Sequence, residues 1–293
     1  MTDGTEPDLV ELLELEPLEH NIYRGENRDI GTGRIYGGQV LAQSLIAASR
    51  TVEDERPIHS LHGYFILPGD LAAPVVYFVD RLRDGGSFTT RRVTAIQHGR
   101  AIFNMSASFH RQEPGPDHQS PMPDVPPPDA LPSELELLRS MSDRIPDALR
   151  SVLLQERPLD IRPVDPVDPF DPEPRAAVRR VWIRSLEPVG PSQARHRAVL
   201  AYASDYGILG SALQPHGITF RRSNVMVASL DHAIWFHRPV DVNQWLFYDM
   251  RSPVSADARG FALGTFYTGD GRLVASVAQE GLVRVTEERQ TTD

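Results

Sequence analysis

Apolar and polar residues alternate with period two along several stretches of the chain, the spacing of a strand with one buried face. In "GRAIFNMSASF" (99–109), Ala101, Phe103, Met105, Ala107 and Phe109 share one face. Such patterns predict strands over 58–67, 74–83, 87–98 and 100–110, joined by the turn signals "PGD", "DGGS" and "HGR". A second series is predicted over 223–237, 244–254, 258–268 and 271–286, with "TGDGR" a strong hairpin turn. Helical spacing precedes each series. Val40, Leu41, Leu45 and Ala48 mark a helix in "GGQVLAQSLIAASRTV" (37–52), and 192–213 predicts a second one. One helix beside an antiparallel sheet, twice over, is an α+β organisation in which the sheet wraps the helix.

The two halves are also alike residue by residue. "YFILPGD" (64–70) matches "WFHRPVD" (235–241) at an offset of 171, and "GRAIFNMSASF" (99–109) matches "GRLVASVAQEG" (271–281) at 172. Two independent matches at nearly one offset point to an internal duplication. Between the copies, "RQEPGPDHQSPMPDVPPPDALP" (111–132) is rich in proline and short of large apolar residues, which makes it a linker. The predicted division is a first unit over 8–111, a linker with a connecting helix over 112–150, a second unit over 151–287 and a tail over 288–293.

Positions where only one copy is polar single out candidate chemistry. Gln279 falls on the apolar face of Leu273, Ala275, Val277, Val283 and Val285, where the first copy has Ala107. An unpaired buried amide costs about 1–3 kcal/mol, so it needs a partner or a task. Asp205 is expected in mid-helix in "AYASDYGIL", and Ser229 on the strand face of Val225, Val227 and Trp235. Their loose counterparts by offset are Arg34 and Ile58. An acid, a hydroxyl and an amide together could activate a water: the carboxylate takes its proton and the other two hold it or stabilise oxyanion charge. The plainer reading stands beside this one, with Asp205 a surface helix acid, Ser229 an ordinary strand residue and Gln279 a bulge or edge residue before Gly281.

Composition narrows the classes. The chain has 293 residues, a net charge of −10 and no cysteine. The acidic balance argues against a nucleic-acid partner, and the lack of cysteine excludes disulfides and thiolate chemistry. No apolar run approaches the ~20 residues of a membrane span, so no membrane insertion is expected. The acidic start "MTDGTEPDLVELLELEPLEH" lacks the pattern of a signal peptide, and a cytoplasmic location is expected.

The segments "RIYGGQVLAQSL", "HSLHGYFILPGD", "LRDGGSF", "LQPHG", "LDHAIWFHRP", "ARGF" and "VAQEGLVR" resemble, in order, the acyl-CoA thioesterase II family over about residues 8–287. The resemblance implies a tandem, or double, hotdog fold that hydrolyses fatty acyl-CoA to free acid and CoA. It implies the catalytic residues Asp205, Ser229 and Gln279, no cofactor and no metal, and assembly into a homodimer or homotetramer. The family's threonine falls on Ser229, a departure that keeps the hydroxyl and loses the stiffness of a β-branched side chain. A catalytically silent acyl-CoA-binding protein on the same scaffold is the alternative. A hydratase on a related hotdog has no support in the sequence.

Two features invite other readings. His59 and His62 in "HSLH", with Asp231, His232 and His237 in "DHAIWFH", suggest a metal, but the first two are expected on opposite strand faces, a poor geometry for joint ligation. "GGQVLAQ" lacks the lysine of a phosphate loop and the full dinucleotide fingerprint. Arg34, Arg91, Arg92, Arg221 and Arg222 are candidates for the phosphates of CoA.

Overall fold

The structure is a computed structural model that describes residues 8–31, 33–220 and 224–286. The first copy holds the helix α2 (Gly37–Ser49) and strands β3 (Ile58–Phe65), β4 (Val75–Asp84), β5 (Phe88–Gln97) and β6 (Arg100–His110). A short helix α1 (Leu9–Leu12) and strands β1 (Glu16–Glu19) and β2 (Ile22–Gly25) precede it. The connection carries α3 (Glu134–Ser140) and α4 (Asp147–Leu153). The second copy holds β7 (Leu159–Pro163), β8 (Val178–Ser185), α5 (Gln193–Ser204), α6 (Gly210–Leu213) and β9 (Val225–Ser229). It ends with β10 (Asp231–Phe236), β11 (Leu246–Ala256), β12 (Arg259–Thr268) and β13 (Leu273–Val285).

Among the described residues the strands form one antiparallel sheet in the order β1-β2-β4-β5-β6-β3-β10-β13-β12-β11-β8-β7, with β9 on β13. The copies join where β3 pairs with β10, Leu61 opposite Ile234. This pairing gives each copy's inner edge a partner, so neither presents unpaired backbone there. Helices α2 and α5 pack on each other inside the curve of the sheet, and both are buried along nearly their whole length. That burial fits α2, where small and apolar residues fill most positions, and the second half of α5, whereas the first turns of α5 also bury His196 and Arg197. No helix among the described residues is long and apolar enough to cross a membrane.

The proline-rich segment is not an idle tether. Met122, Val125 and Leu131 pack on Trp182, Phe247 and Tyr267, on the outer face of the second copy's sheet. Trp182 Nε1 donates to Pro126 O at 2.9 Å, and Gln119 bonds the backbone of Gly271 and Leu273. Strands β1, β2, β7 and β8 extend the sheet beyond the four strands expected per copy.

Three local expectations are corrected. Residues 192–213 are not one helix. Helix α5 stops at Ser204, Asp205 caps it, and Gly207 at φ +72° turns the chain before α6. Residues 223–237 are not one strand either (Ser223 lies outside the described residues). Ser229 pairs with Gly281 and Ala233 with Ala278, so three residues, Ser229 to Asp231, stand where β13 supplies two. This is a β-bulge at Leu230. It reverses the facing of everything after it: Ser229 points inward with His232, Ile234 and Phe236, whereas Ala233 and Trp235 face out. The third correction concerns His59 and His62. A register shift between Ile58 and Ser60 turns both histidines to the outer face, where His59 bonds Ser108 and His62 stands edge-on to Trp235.

Candidate active site

Asp205, Ser229 and Gln279 meet. Gln279 Nε2 donates to Asp205 Oδ1 at 2.9 Å and to Ser229 Oγ at 2.7 Å, and Ser229 Oγ lies 3.4 Å from Asp205 Oδ1. Each comes from a different element, and each placement has a local cause. Gln279 is carried inward by the alternation of β13 and is 1% exposed. Ser229 is aimed by the bulge. Asp205 depends on the turn after α5, which approaches the sheet closely because Gly281 has no side chain: a Cβ there would stand 2.3 Å from Leu209 Cδ1. The other Asp205 oxygen faces the start of α2, where a Cβ on Gly37 would lie 2.8 Å from Oδ2. The carboxylate thus meets the positive end of that helix.

Aromatic groups enclose this corner. Tyr36 OH donates to Tyr202 O at 3.0 Å and Tyr248 OH to Ser204 O at 2.7 Å. Burial, with the Asp205 charge second, holds the ionisation of Tyr36 and Tyr248 well above the ordinary phenol value. Burial likewise pushes Tyr202 up to about 12. All three phenols therefore remain hydrogen-bond donors at neutral pH. Tyr206, next to Asp205, donates to Glu134 of α3 at 2.5 Å, so the connection between the copies reaches the site.

The sheet register identifies what the first copy has instead. Ile58 pairs with Phe109 as Ser229 pairs with Gly281, and Arg91 pairs with Ala107 as Ala262 pairs with Gln279. Ile58 and Ala107 are thus the counterparts of Ser229 and Gln279. The counterpart of Asp205 is Arg50, the cap of α2, and not Arg34 as the offset suggested. Arg91, 1% exposed, fills the equivalent corner and bonds Thr51, Asp84 and the carbonyls of Arg83 and Thr90. Such an arginine is no partner for a CoA phosphate. Arg92 is exposed and paired with Asp80. Arg221 and Arg222 lie outside the described residues.

His232, considered in the sequence only as a metal ligand, belongs instead to this site. His232, fully buried, bonds Gln279 Oε1 through Nδ1 at 2.8 Å and Ser204 Oγ through Nε2 at 2.8 Å. Strict alternation from Ser229 places it outward, and only the bulge brings it in. Its "DH" neighbours do not gather with it: Asp231 accepts from Glu280 N, and His237 bonds Ser276. Among the described residues, no group of three His, Asp or Glu side chains is placed to hold a metal ion.

Known proteins share both sequence and architecture with this chain. A sequence profile described as acyl-CoA thioesterase matches residues 151–282, and one described as acyl-CoA thioesterase N-terminal domain matches 26–110. Acyl-coenzyme A thioesterase 8 of Homo sapiens is 38% identical over 289 residues, which cover 94% of this chain and 88% of that protein. Acyl-CoA thioesterase 2 of Haemophilus influenzae is 37% identical, covering 96% and 98%. The crystal structure of acyl-CoA thioesterase II TesB2 from Mycobacterium marinum superposes with a TM-score of 0.77 at 43% identity, covering 94% and 98%. A hot dog fold protein of Alicyclobacillus acidocaldarius, 20% identical with a TM-score of 0.73, shares the fold. The chain is a double hotdog and belongs to the acyl-CoA thioesterase family.

Proposed function

We propose that the protein hydrolyses fatty acyl-CoA thioesters to free fatty acid and CoA, using one water held by Asp205, Ser229 and Gln279. Asp205 takes a proton from the water as its oxygen bonds the acyl carbon. The tetrahedral oxyanion then collapses, the carbon–sulfur bond breaks, and the CoA thiolate leaves and takes up the proton that Asp205 received, which restores the carboxylate. A thioester carbonyl has weak resonance and a stable leaving group, so a carboxylate base suffices and no covalent nucleophile is needed. Helix α2 begins at Gly37 beside the same carboxylate, and its positive end suits the charge that develops on the oxygen.

The observation that carries this reading is the convergence of three polar groups within 3.4 Å at the edge of an apolar core. The corresponding positions of the first copy are Arg50, whose guanidinium turns away to Leu15 O and Glu14, with Ile58 and Ala107, so the chemistry belongs to the second copy alone. The reading also takes the protein as a homodimer or homotetramer, which light scattering of the purified chain measures.

Thiol release from acyl-CoAs tests the assignment. Asp205→Ala and Gln279→Ala should each lower kcat at least about tenfold, a modest part of what general-base catalysis supplies, with the thermal midpoint preserved. Full turnover in both variants rejects the site. Stabilisation by acyl-CoA without thiol release from the wild type would make the protein a silent binder.

A further inference from the structure

We propose that His232 is a positioning residue for hydrolysis, because its Nδ1–H holds the Gln279 carboxamide with Nε2 turned toward Asp205 and Ser229. The inference rests on the reading that Asp205, Ser229 and Gln279 bind the attacking water.

A carboxamide fits its site almost equally well either way round, and only its hydrogen-bond partners choose. Gln279 uses Nε2 to donate to Asp205 Oδ1 and Ser229 Oγ. Turned over, it would set Oε1 against the carboxylate, oxygen against oxygen. His232 Nδ1 stands 2.8 Å from Oε1, and a donor there rewards the productive orientation. The ring then carries its proton on Nδ1 and accepts at Nε2 from Ser204 Oγ, also at 2.8 Å. Ser204 has Ala201 O as a second acceptor at 2.8 Å, but one hydroxyl hydrogen serves one partner. Burial lowers the ionisation of His232, which favours this neutral ring. Tyr248 fixes the backbone of Ser204, so the whole relay is anchored where α5 ends and Asp205 begins.

The duplication supplies an internal control. Ala233 pairs with His62 and Ala278, so His232 faces Gln279 across the ladder as Leu61 faces Ala107 in the first copy. Leu61 and Ala107 are buried and apolar. In the second copy both members of the cross-strand pair are polar and bonded to each other. A buried imidazole costs desolvation that leucine avoids. The orientation of Gln279 is the return on that cost.

The full-length enzyme is assayed for thiol release with decanoyl-CoA, alongside thermal unfolding. His232→Leu, which installs the first copy's residue, should lower kcat about 10- to 100-fold with KM within about twofold, the scale of a misplaced catalytic group. His232→Asn, whose Nδ2 reaches the place of Nδ1, should recover most of the loss, whereas His232→Gln, which reaches toward Nε2, should not. On a Gln279→Ala background, His232→Leu should cost nothing more, because it acts through Gln279. Wild-type kcat in His232→Leu, or a fully additive loss in the double variant, overturns the proposal. If His232→Leu does not fold, equal turnover of the Asn and Gln variants overturns it. Should Asp205→Ala and Gln279→Ala retain full activity, the site assignment itself fails. If they lose it while His232→Leu does not, only the positioning role fails.

Discussion

Gln279 donates from Nε2 to Asp205 Oδ1 at 2.9 Å, although 74 positions separate them in the chain. The bond ties the last strand to the end of the second long helix. Neither element presents a site alone, since an amide on a strand or an acid at a helix end is chemically ordinary until the other is beside it.

In the proposed mechanism Ser229 contributes its hydroxyl and little else. Ser229→Ala removes the oxygen that accepts from Gln279 at 2.7 Å, and kcat for acyl-CoA hydrolysis should fall about tenfold, near the cost of one lost hydrogen bond. Ser229→Thr keeps the oxygen and narrows its χ1 range, so turnover should stay at or above wild type. Steady-state kinetics on both variants check this, and equal losses would remove the hydroxyl from the mechanism.

Glu134 in the connecting helix holds Tyr206 at 2.5 Å and pairs with Arg157 at 3.2 Å and Arg179 at 3.7 Å. Arg157 also lies over the Tyr206 ring, 5.3 Å from its centre. Glu134→Ala frees the residue that follows Asp205. The expected result is a kcat lowered about 3- to 10-fold, with a stability loss of about 1 kcal/mol because the cluster is partly solvated. Glu136→Ala, which removes only the cap bond to the Ser133 backbone, should leave kcat at wild type.

The internal bonds of Arg91 predict a role in the stability of the first copy and none in the reaction. Arg91→Met leaves Thr51 and two carbonyls without their donor, and chemical denaturation should show a loss of about 2–4 kcal/mol. Turnover per folded molecule should be unchanged. A raised KM for acyl-CoA would instead return Arg91 to the list of CoA contacts.

Acid should destabilise the fold through its histidines. Burial holds His232, His59 and His237 below the ordinary value of 6.5. Below about pH 6.5 the unfolded chain therefore binds protons that the folded chain does not, so stability is full above that pH and declines as pH falls through it. His232, buried throughout, should dominate. Thermal midpoints from pH 7.5 to 5 should fall, and less steeply in His232→Asn. Parallel slopes in both proteins would contradict this.

Much of the candidate site was legible because strand alternation is local. Gln279 stood out on an apolar face of β13, and its counterpart Ala107 was recovered from sequence offset alone. The resemblance to the acyl-CoA thioesterase II family implied Asp205, Ser229 and Gln279 as catalytic residues. His232 was not legible, because parity counted from Ser229 turns it outward. The extra residue that reverses the count exists only in the pairing of β9 and β10 with β13.

The sequence by itself determined the duplicated α+β plan, most strand positions and the apolar faces. Those follow from side-chain periodicity within a few residues of backbone. Tertiary structure alone decided where α5 ends, which way His232 points and that Arg50 rather than Arg34 is the counterpart of Asp205. Each depends on a contact between distant segments: Leu209 against Gly281, β9 and β10 against β13, and α2 against α5. Backbone pairing and close packing across the chain, rather than local preference, set these details.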